Sequence, residues 1–182
     1  MKGFFSKIDH RDKISISRAV AKGIPSMRKE VSKDPCEICK LYQGCNSPKM
    51  DYTGEGEKNC LIISEAPGKV EDDIGIQLKG DAGQLLRRRL AERGLDLDRD
   101  FWKINSINCR PPSNRKPTKR ELKLCKFKVE AALKALKPKF IWLLGGTAVE
   151  SFYMGRFSRL GITRWRRNCI PDRDTGAWVI PL

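Results

Sequence analysis

The chain has 182 residues, enough for one domain with its own core. Its 37 Lys and Arg against 22 Asp and Glu leave a formal charge of +15, an excess that points to a polyanionic partner beyond mere solubility. No apolar run is long enough to span a bilayer, and no basic amphipathic helix with a clean apolar face marks a membrane surface.

Residues 1–34 are polar and basic, and Gly23 and Pro25 break any long helix, which predicts an appended arm or helix ahead of a domain over 35–182. Seven cysteines without an apolar leader predict reduced thiols in an intracellular, cytoplasmic protein. The single histidine, His10, lies in the polar arm, which argues against a His-rich metal site. Residues 36–59 carry many Gly, Asn, Lys and Cys with little periodicity and read as a loop held by something other than a core.

The apolar residues 60–63 begin the α/β body as a short buried strand. The turn Ser64-Glu65-Ala66-Pro67-Gly68 follows, then Glu71, Asp72 and Asp73. A Pro-Gly turn at the C-terminal end of a strand, followed by acids, is where an open α/β sheet builds a site. Three carboxylates on one short loop are costly to hold together unless solvent, a cation or chemistry uses them.

Residues 82–93 predict a helix with Leu85, Leu86 and Leu90 on one face and Arg87, Arg88, Arg89 and Arg93 turned outward; Gly94 ends it. Residues 101–107 predict a second strand, which runs into a Pro-rich loop over 110–117. Thr118 and Glu121 have capping-box spacing for a helix reaching Leu136, with Leu122, Cys125, Val129, Ala132, Leu133 and Leu136 inward and Pro138 as its stop. A third strand over 140–144, a short helix opened by Gly145-Gly146 and ending at Met154, and a last strand over 177–180 complete the pattern. The alternation predicts a three-layer α/β/α domain with a small central parallel sheet, plus a cysteine-bearing N-terminal loop region.

Cys36 and Cys39 form a C-x-x-C pair on a segment that packs poorly as core; Cys109 follows the second strand and Cys125 sits in the next helix. Four thiolates so spaced suit zinc or an iron–sulfur cluster, and spacing alone does not choose between them. Cys45 is an alternative ligand, while Cys60 and Cys169 read as structural.

Taken together, these residues resemble the iron–sulfur uracil-DNA glycosylases, the family-four branch of that superfamily. The matching pieces are Cys36-x-x-Cys39, Glu65-Ala66-Pro67-Gly68 with Glu71-Asp72, and Gly80-x-Ala82-Gly83-Gln84-Leu85-Leu86. They continue through Asn105-x-x-x-Cys109-Arg110-Pro111-Pro112, Asn114-Arg115-x-Pro117, Cys125, Lys137-Pro138-Lys139 and Leu144-Gly145. Each piece is weak; the ordered set, over residues 36 to about 150, is specific.

The resemblance implies a 4Fe–4S cluster on Cys36, Cys39, Cys109 and Cys125, with a structural role, and so favours iron over zinc. It implies a monomer that binds DNA, flips out a uracil and hydrolyses its N-glycosidic bond. Asn105 takes the family's position for reading the base: its amide donates to O4 and accepts from N3–H of uracil, whereas cytosine offers the opposite pattern. Glu65 and Glu71 match the acidic positions that orient water and offset positive charge on the sugar, without a division of the two roles. Ala66 and Gly68 would present backbone amides to the uracil oxygens, and Leu78 would cover the base. Arg110, Arg115, Lys116, Lys119 and Arg120 would track phosphates, although each singly reads as well as part of a solvated face.

Three departures stand out. Ser64 replaces a usual glycine, Leu78 replaces an aromatic residue that stacks on the base, and the His-Pro-Ser motif expected after a late strand is not among these residues. The expectation is that the sequence is a fragment lacking that motif. Retained Glu65, Glu71 and Asn105 favour an enzyme, monofunctional because no active-site lysine stands out, and Leu78 with the missing motif favours a DNA-binding module acting as a replication or repair accessory. An electron-transfer protein fits the cysteines but neither the charge nor the Glu-Ala-Pro-Gly turn.

Overall fold

The computed structural model describes residues 34–157 and 162–182, so the basic arm expected over 1–34 lies, but for its last residue, outside them. A five-stranded sheet runs in the order β2-β1-β3-β5-β4. Its members are β1 (Cys60–Ser64), β2 (Phe101–Asn105), β3 (Phe140–Leu143), β4 (Ile170–Pro171) and β5 (Trp178–Pro181). The first four in that order are mutually parallel, and β4 adds an antiparallel edge to β5. The expected three-layer fold is therefore present with a mixed sheet, because two residues that the sequence signals did not register pair back on the last strand.

β1 is central and buried along its whole length, which is why it reads as an unbroken apolar run and not as an alternation. Leu61 and Ile63 face one layer, with Val129 and Ala132 of α4 (Lys119–Leu136) and Ala148, Val149 and Phe152 of α5 (Gly145–Tyr153). Cys60 and Ile62 face the other, with Leu90 of α3 (Asp81–Ala91) and Phe101. Thr118 and Glu121 form the expected capping box at the start of α4.

The segment over 36–59 is not all loop. It contains α1 (Pro35–Cys39), a 3₁₀ turn over Leu41–Gly44, and an antiparallel bridge from Thr53 to Lys103 that covers the outer edge of β2. Asp34 caps α1 by accepting from the Cys36 N–H at 3.0 Å, and Pro35 occupies its first turn. The acidic run after β1 likewise forms α2 (Lys69–Ile74), bracketed by Gly68 and a left-handed Gly75. Both helices are too short for apolar periodicity to show.

The chain leaves β1 for β2 on one side and later returns to β3 on the other. The C-terminal end of β1 therefore lies at the switch in strand order, where open α/β sheets bind ligands.

Candidate active site

At that end of the sheet an open cleft of about 360 Å³ is lined by Ser64, Glu65, Ala66, Gly68, Glu71, Leu78, Gly80, Asp81, Ala82, Asn105 and Leu144. It brings together every residue expected to act on the base or sugar, from segments as far apart in sequence as β1 and β3.

Ser64 and Asn105 are register partners at the ends of adjacent parallel strands. The Ser64 hydroxyl donates to Asn105 Oδ1 at 2.5 Å, and Asn105 is only 2% exposed. Its Nδ2 finds no hydrogen-bond partner among the described residues. A buried amide donor left unpaired costs about 1–3 kcal/mol, so at a cleft it suits an acceptor from outside the protein, water or ligand.

The two acids have different surroundings. Glu65 is exposed and held at one oxygen only, where Thr147 Oγ1 donates to Oε2 at 2.6 Å from the first turn of α5. Glu71 accepts three backbone N–H bonds: from Gly68 at 3.1 Å, Lys79 at 3.0 Å and Gly80 at 2.8 Å. Gly68's N–H is thereby committed to Glu71 and is not free for a uracil oxygen. The neighbouring acids are also taken up by structure: Asp72 accepts from the Ser47 N–H, and Asp73 from Asn46 Nδ2 and Lys69 Nζ.

Between Glu71 and α3, Leu78 is held with φ at +55°, a left-handed conformation that costs a bulky residue roughly 1–2 kcal/mol. Four supports overcome that cost. Glu71 grips the next two amides, and the fully buried Gln77 accepts from Thr53 Oγ1 at 2.6 Å and donates to the Asp51 carbonyl. Lys79 binds Asp98 at 2.9 Å, and Gly83 packs so closely that a Cβ there would lie 2.0 Å from the Leu78 carbonyl oxygen. Asp98 also receives Arg87 and the buried Lys103; although burial pushes its carboxyl up, these three cations hold it well below the ordinary value. Burial lowers Lys103 despite that partner. Leu78 itself lines the cleft and packs on the α3 side of the core.

Cys36, Cys39, Cys109 and Cys125 line one separate cavity, together with Tyr42, Ile107 and Leu124. The Lys49 N–H points at Cys109 Sγ at 3.3 Å and the Asn108 N–H at Cys125 Sγ at 3.4 Å. Burial pushes Cys109 up to about 12 and Cys125 to about 11, so each stays a neutral thiol unless a cation compensates it. Among the described residues no three Cys, His, Asp or Glu side chains converge as single-ion ligands. Cys45 lies beside the cavity and donates to the carbonyls of Leu41 and Arg110. Cys60 is core, as expected, whereas Cys169 is exposed.

Lys116, Lys119 and Arg120 stand exposed on the loop after β2 and the first turn of α4. Arg110 is turned onto Asn114 Oδ1 at 2.7 Å, and Arg115 forms a bidentate pair with Glu121 at 2.5 and 2.9 Å. That guanidinium holds the Glu121 carboxyl down at about 2.

Sequence reasoning missed Thr147, Gln77 and Asp98 as supports of the site. Thr147 reaches Glu65 across 82 positions of sequence, and no local pattern announces such a contact.

A sequence model of the uracil DNA glycosylase superfamily matches residues 50–182. The chain is 37% identical over 148 residues to a type-4 uracil-DNA glycosylase of Thermotoga maritima, covering 80% of this chain and 73% of that protein. It is 37% identical over 149 residues to one of Pyrobaculum aerophilum, covering 79% and 73% respectively. A third, of Archaeoglobus fulgidus, is 34% identical over 121 residues, covering 65% and 58%.

Proposed function

Because the chain belongs to the uracil-DNA glycosylase superfamily, and within it to the type-4 branch, we propose that it excises uracil from DNA by hydrolysing the N-glycosidic bond. The observation that carries this reading is the buried Asn105 amide, whose nitrogen has no partner among the described residues, in a cleft also lined by Glu65 and Leu78. Uracil O4 supplies the missing acceptor, and its N3–H meets the remaining lone pair of Oδ1. An extruded uracil thus pairs a donor that no described residue of the protein pairs.

The bond between C1′ and N1 breaks with its electron pair on the departing base, and a water oxygen bonds to C1′. Glu65 suits the water: Thr147 fixes one carboxylate oxygen, and the other receives no bond from the described residues. That oxygen accepts the water's proton and faces the positive charge that develops on the sugar. Glu71 acts as a positioning residue, since its three amide bonds hold the turn and the Leu78 loop. Pro67 has no N–H and Gly68's is committed, so within Ala66-Pro67-Gly68 the amide for a base oxygen is that of Ala66. Leu78 supplies apolar cover.

Cys36, Cys39, Cys109 and Cys125 would hold a 4Fe–4S cluster. Two amide N–H groups aimed at sulfurs and two thiols that need a cation fit it, and thiols spread around a cavity suit a polynuclear cluster better than one zinc ion. Such a cluster supplies a brace, not a reaction step. DNA is the partner of a monomeric, intracellular protein. Lys116, Lys119 and Arg120 meet its phosphates, while Arg110 and Arg115, already paired within the protein, shape the loop that carries them.

The test is excision from a labelled uracil-containing oligonucleotide by iron-loaded protein, read as strand cleavage after alkali. Asn105→Ala should cut the single-turnover rate by roughly 10²–10³ while leaving affinity for uracil-free DNA within about twofold. Absence of cleavage by protein that still binds the DNA would sink the enzymatic reading in favour of a binding module.

A further inference from the structure

We propose that Ser64 is a specificity-determining residue: its hydroxyl locks the Asn105 amide with oxygen inward and nitrogen left for the base. The site then accepts a base edge that presents a carbonyl and refuses one that presents an amino group. The inference rests on the reading of Asn105 as the residue that meets the base.

An Asn amide can be seated in two ways, differing by a half-turn that exchanges donor and acceptor. What decides between them is the neighbouring hydroxyl. In the seated form, Ser64 Oγ donates its one proton to Asn105 Oδ1 at 2.5 Å. In the reversed form Ser64 would have to accept from Nδ2 and send its proton elsewhere. The alternative acceptor, the Ile104 carbonyl, is 3.4 Å away, beyond the normal range for a hydroxyl bond.

The backbone that carries the Ser64 hydroxyl is itself tied to the segment after β2. The Ser64 carbonyl is pinned by the Ser106 N–H at 2.8 Å and the Ser106 hydroxyl at 2.7 Å. Reversal keeps one Ser64–Asn105 bond but leaves the Ser64 proton only the long contact to the Ile104 carbonyl, so the hydroxyl is fully satisfied in the seated form alone. A glycine at position 64, as the family resemblance leads one to expect, has no hydroxyl with which to impose this choice. This chain thus adds a lock to the amide that reads the base, and the lock works through Asn105 without touching substrate.

The test compares binding of two oligonucleotides that carry a 2′-fluoro-arabino uridine or cytidine at the same position; the fluorine disfavours the cationic sugar and suppresses cleavage. Iron-loaded wild-type protein should prefer the uracil strand, and Ser64→Ala should shrink that preference roughly tenfold, the loss of about one orienting hydrogen bond. Ser64→Thr, which keeps the hydroxyl, should retain most of the preference. In an Asn105→Ala background, Ser64→Ala should change nothing further. An undiminished preference in Ser64→Ala protein of unchanged melting temperature overturns the proposal. So does a loss that persists without Asn105. Excision of ordinary uracil is scored separately. A protein whose uracil preference depends on Ser64 yet which cleaves nothing defeats the glycosylase reading while upholding the lock, and an active enzyme indifferent to Ser64 does the reverse.

Discussion

Glu65 and Glu71 are six residues apart, carry the same group and line the same cleft, yet their surroundings assign them opposite work. Glu71 spends both oxygens on three backbone amides, so its carboxylate is structural. Glu71→Gln replaces one oxygen with an NH₂ that faces an N–H, leaving a half-buried donor unmatched. It should lower unfolding stability in urea by about 1–3 kcal/mol and loosen the Leu78 loop. Glu65→Gln keeps an acceptor for Thr147 and should shift stability by less than about 0.5 kcal/mol, while single-turnover excision falls roughly 10²–10⁴-fold. Equal stability losses in the two variants would contradict the assignment. The pair shows how far residue types were legible: acids after a Pro-Gly turn announced a site, but only the placement of Gly68, Lys79 and Gly80 amides separates a structural carboxylate from one free to meet water. Thr147 was illegible because its contact is long-range.

At the scale of elements, the long strands and helices could be read directly, because burial on both faces writes an apolar run and burial on one writes a periodic stripe. α1 and α2, each under two turns, cannot show a stripe. Their end signals were nonetheless present: Asp34-Pro35 at the start of one, and Gly68 and Gly75 around the other. The join between the Leu78 loop and α3 adds a constraint that propensity alone reads with the wrong sign. Gly83 lies in the first turns of α3, and by intrinsic preference Gly83→Ala should stabilise a helix by up to about 1 kcal/mol. A Cβ there would meet Leu78 backbone atoms at 2.0 to 2.6 Å, and backbone cannot swing aside as a side-chain tip can. The substitution should therefore destabilise by about 1–3 kcal/mol, as overpacking does, and slow excision by displacing Leu78. A raised melting temperature with unchanged excision would show that the loop yields.

For the whole molecule, the question is what holds the cysteine-bearing segment to the α/β body. Neither apolar core cluster contains a residue before Cys60. Met50 is buried, and the segment is otherwise tied by polar contacts, among them Ser47 N–H to Asp72 at 3.0 Å, Met50 N–H to the Asn108 carbonyl at 2.9 Å, and Lys49 N–H to Cys109 sulfur at 3.3 Å. Single contacts of this kind are worth about 0.5–1.5 kcal/mol, of the same order as the roughly 1–2 kcal/mol that ordering one residue's backbone costs. The cluster proposed on Cys36, Cys39, Cys109 and Cys125 would supply a further tie, joining α1 to β2's exit loop and to α4. Removing iron by chelation under oxidant should therefore act locally. Amide hydrogen exchange at residues 36–48 should accelerate by orders of magnitude, while the amides of β1, β2 and β3, secured by the two cores, keep their protection. DNA affinity should fall with it, because the loop over 110–117 borders the same cavity through Cys109 and Glu121. Uniform loss of protection across the sheet would instead make the cysteine module part of one cooperative core, and unchanged exchange at 36–48 would show that the segment needs no metal to hold its place.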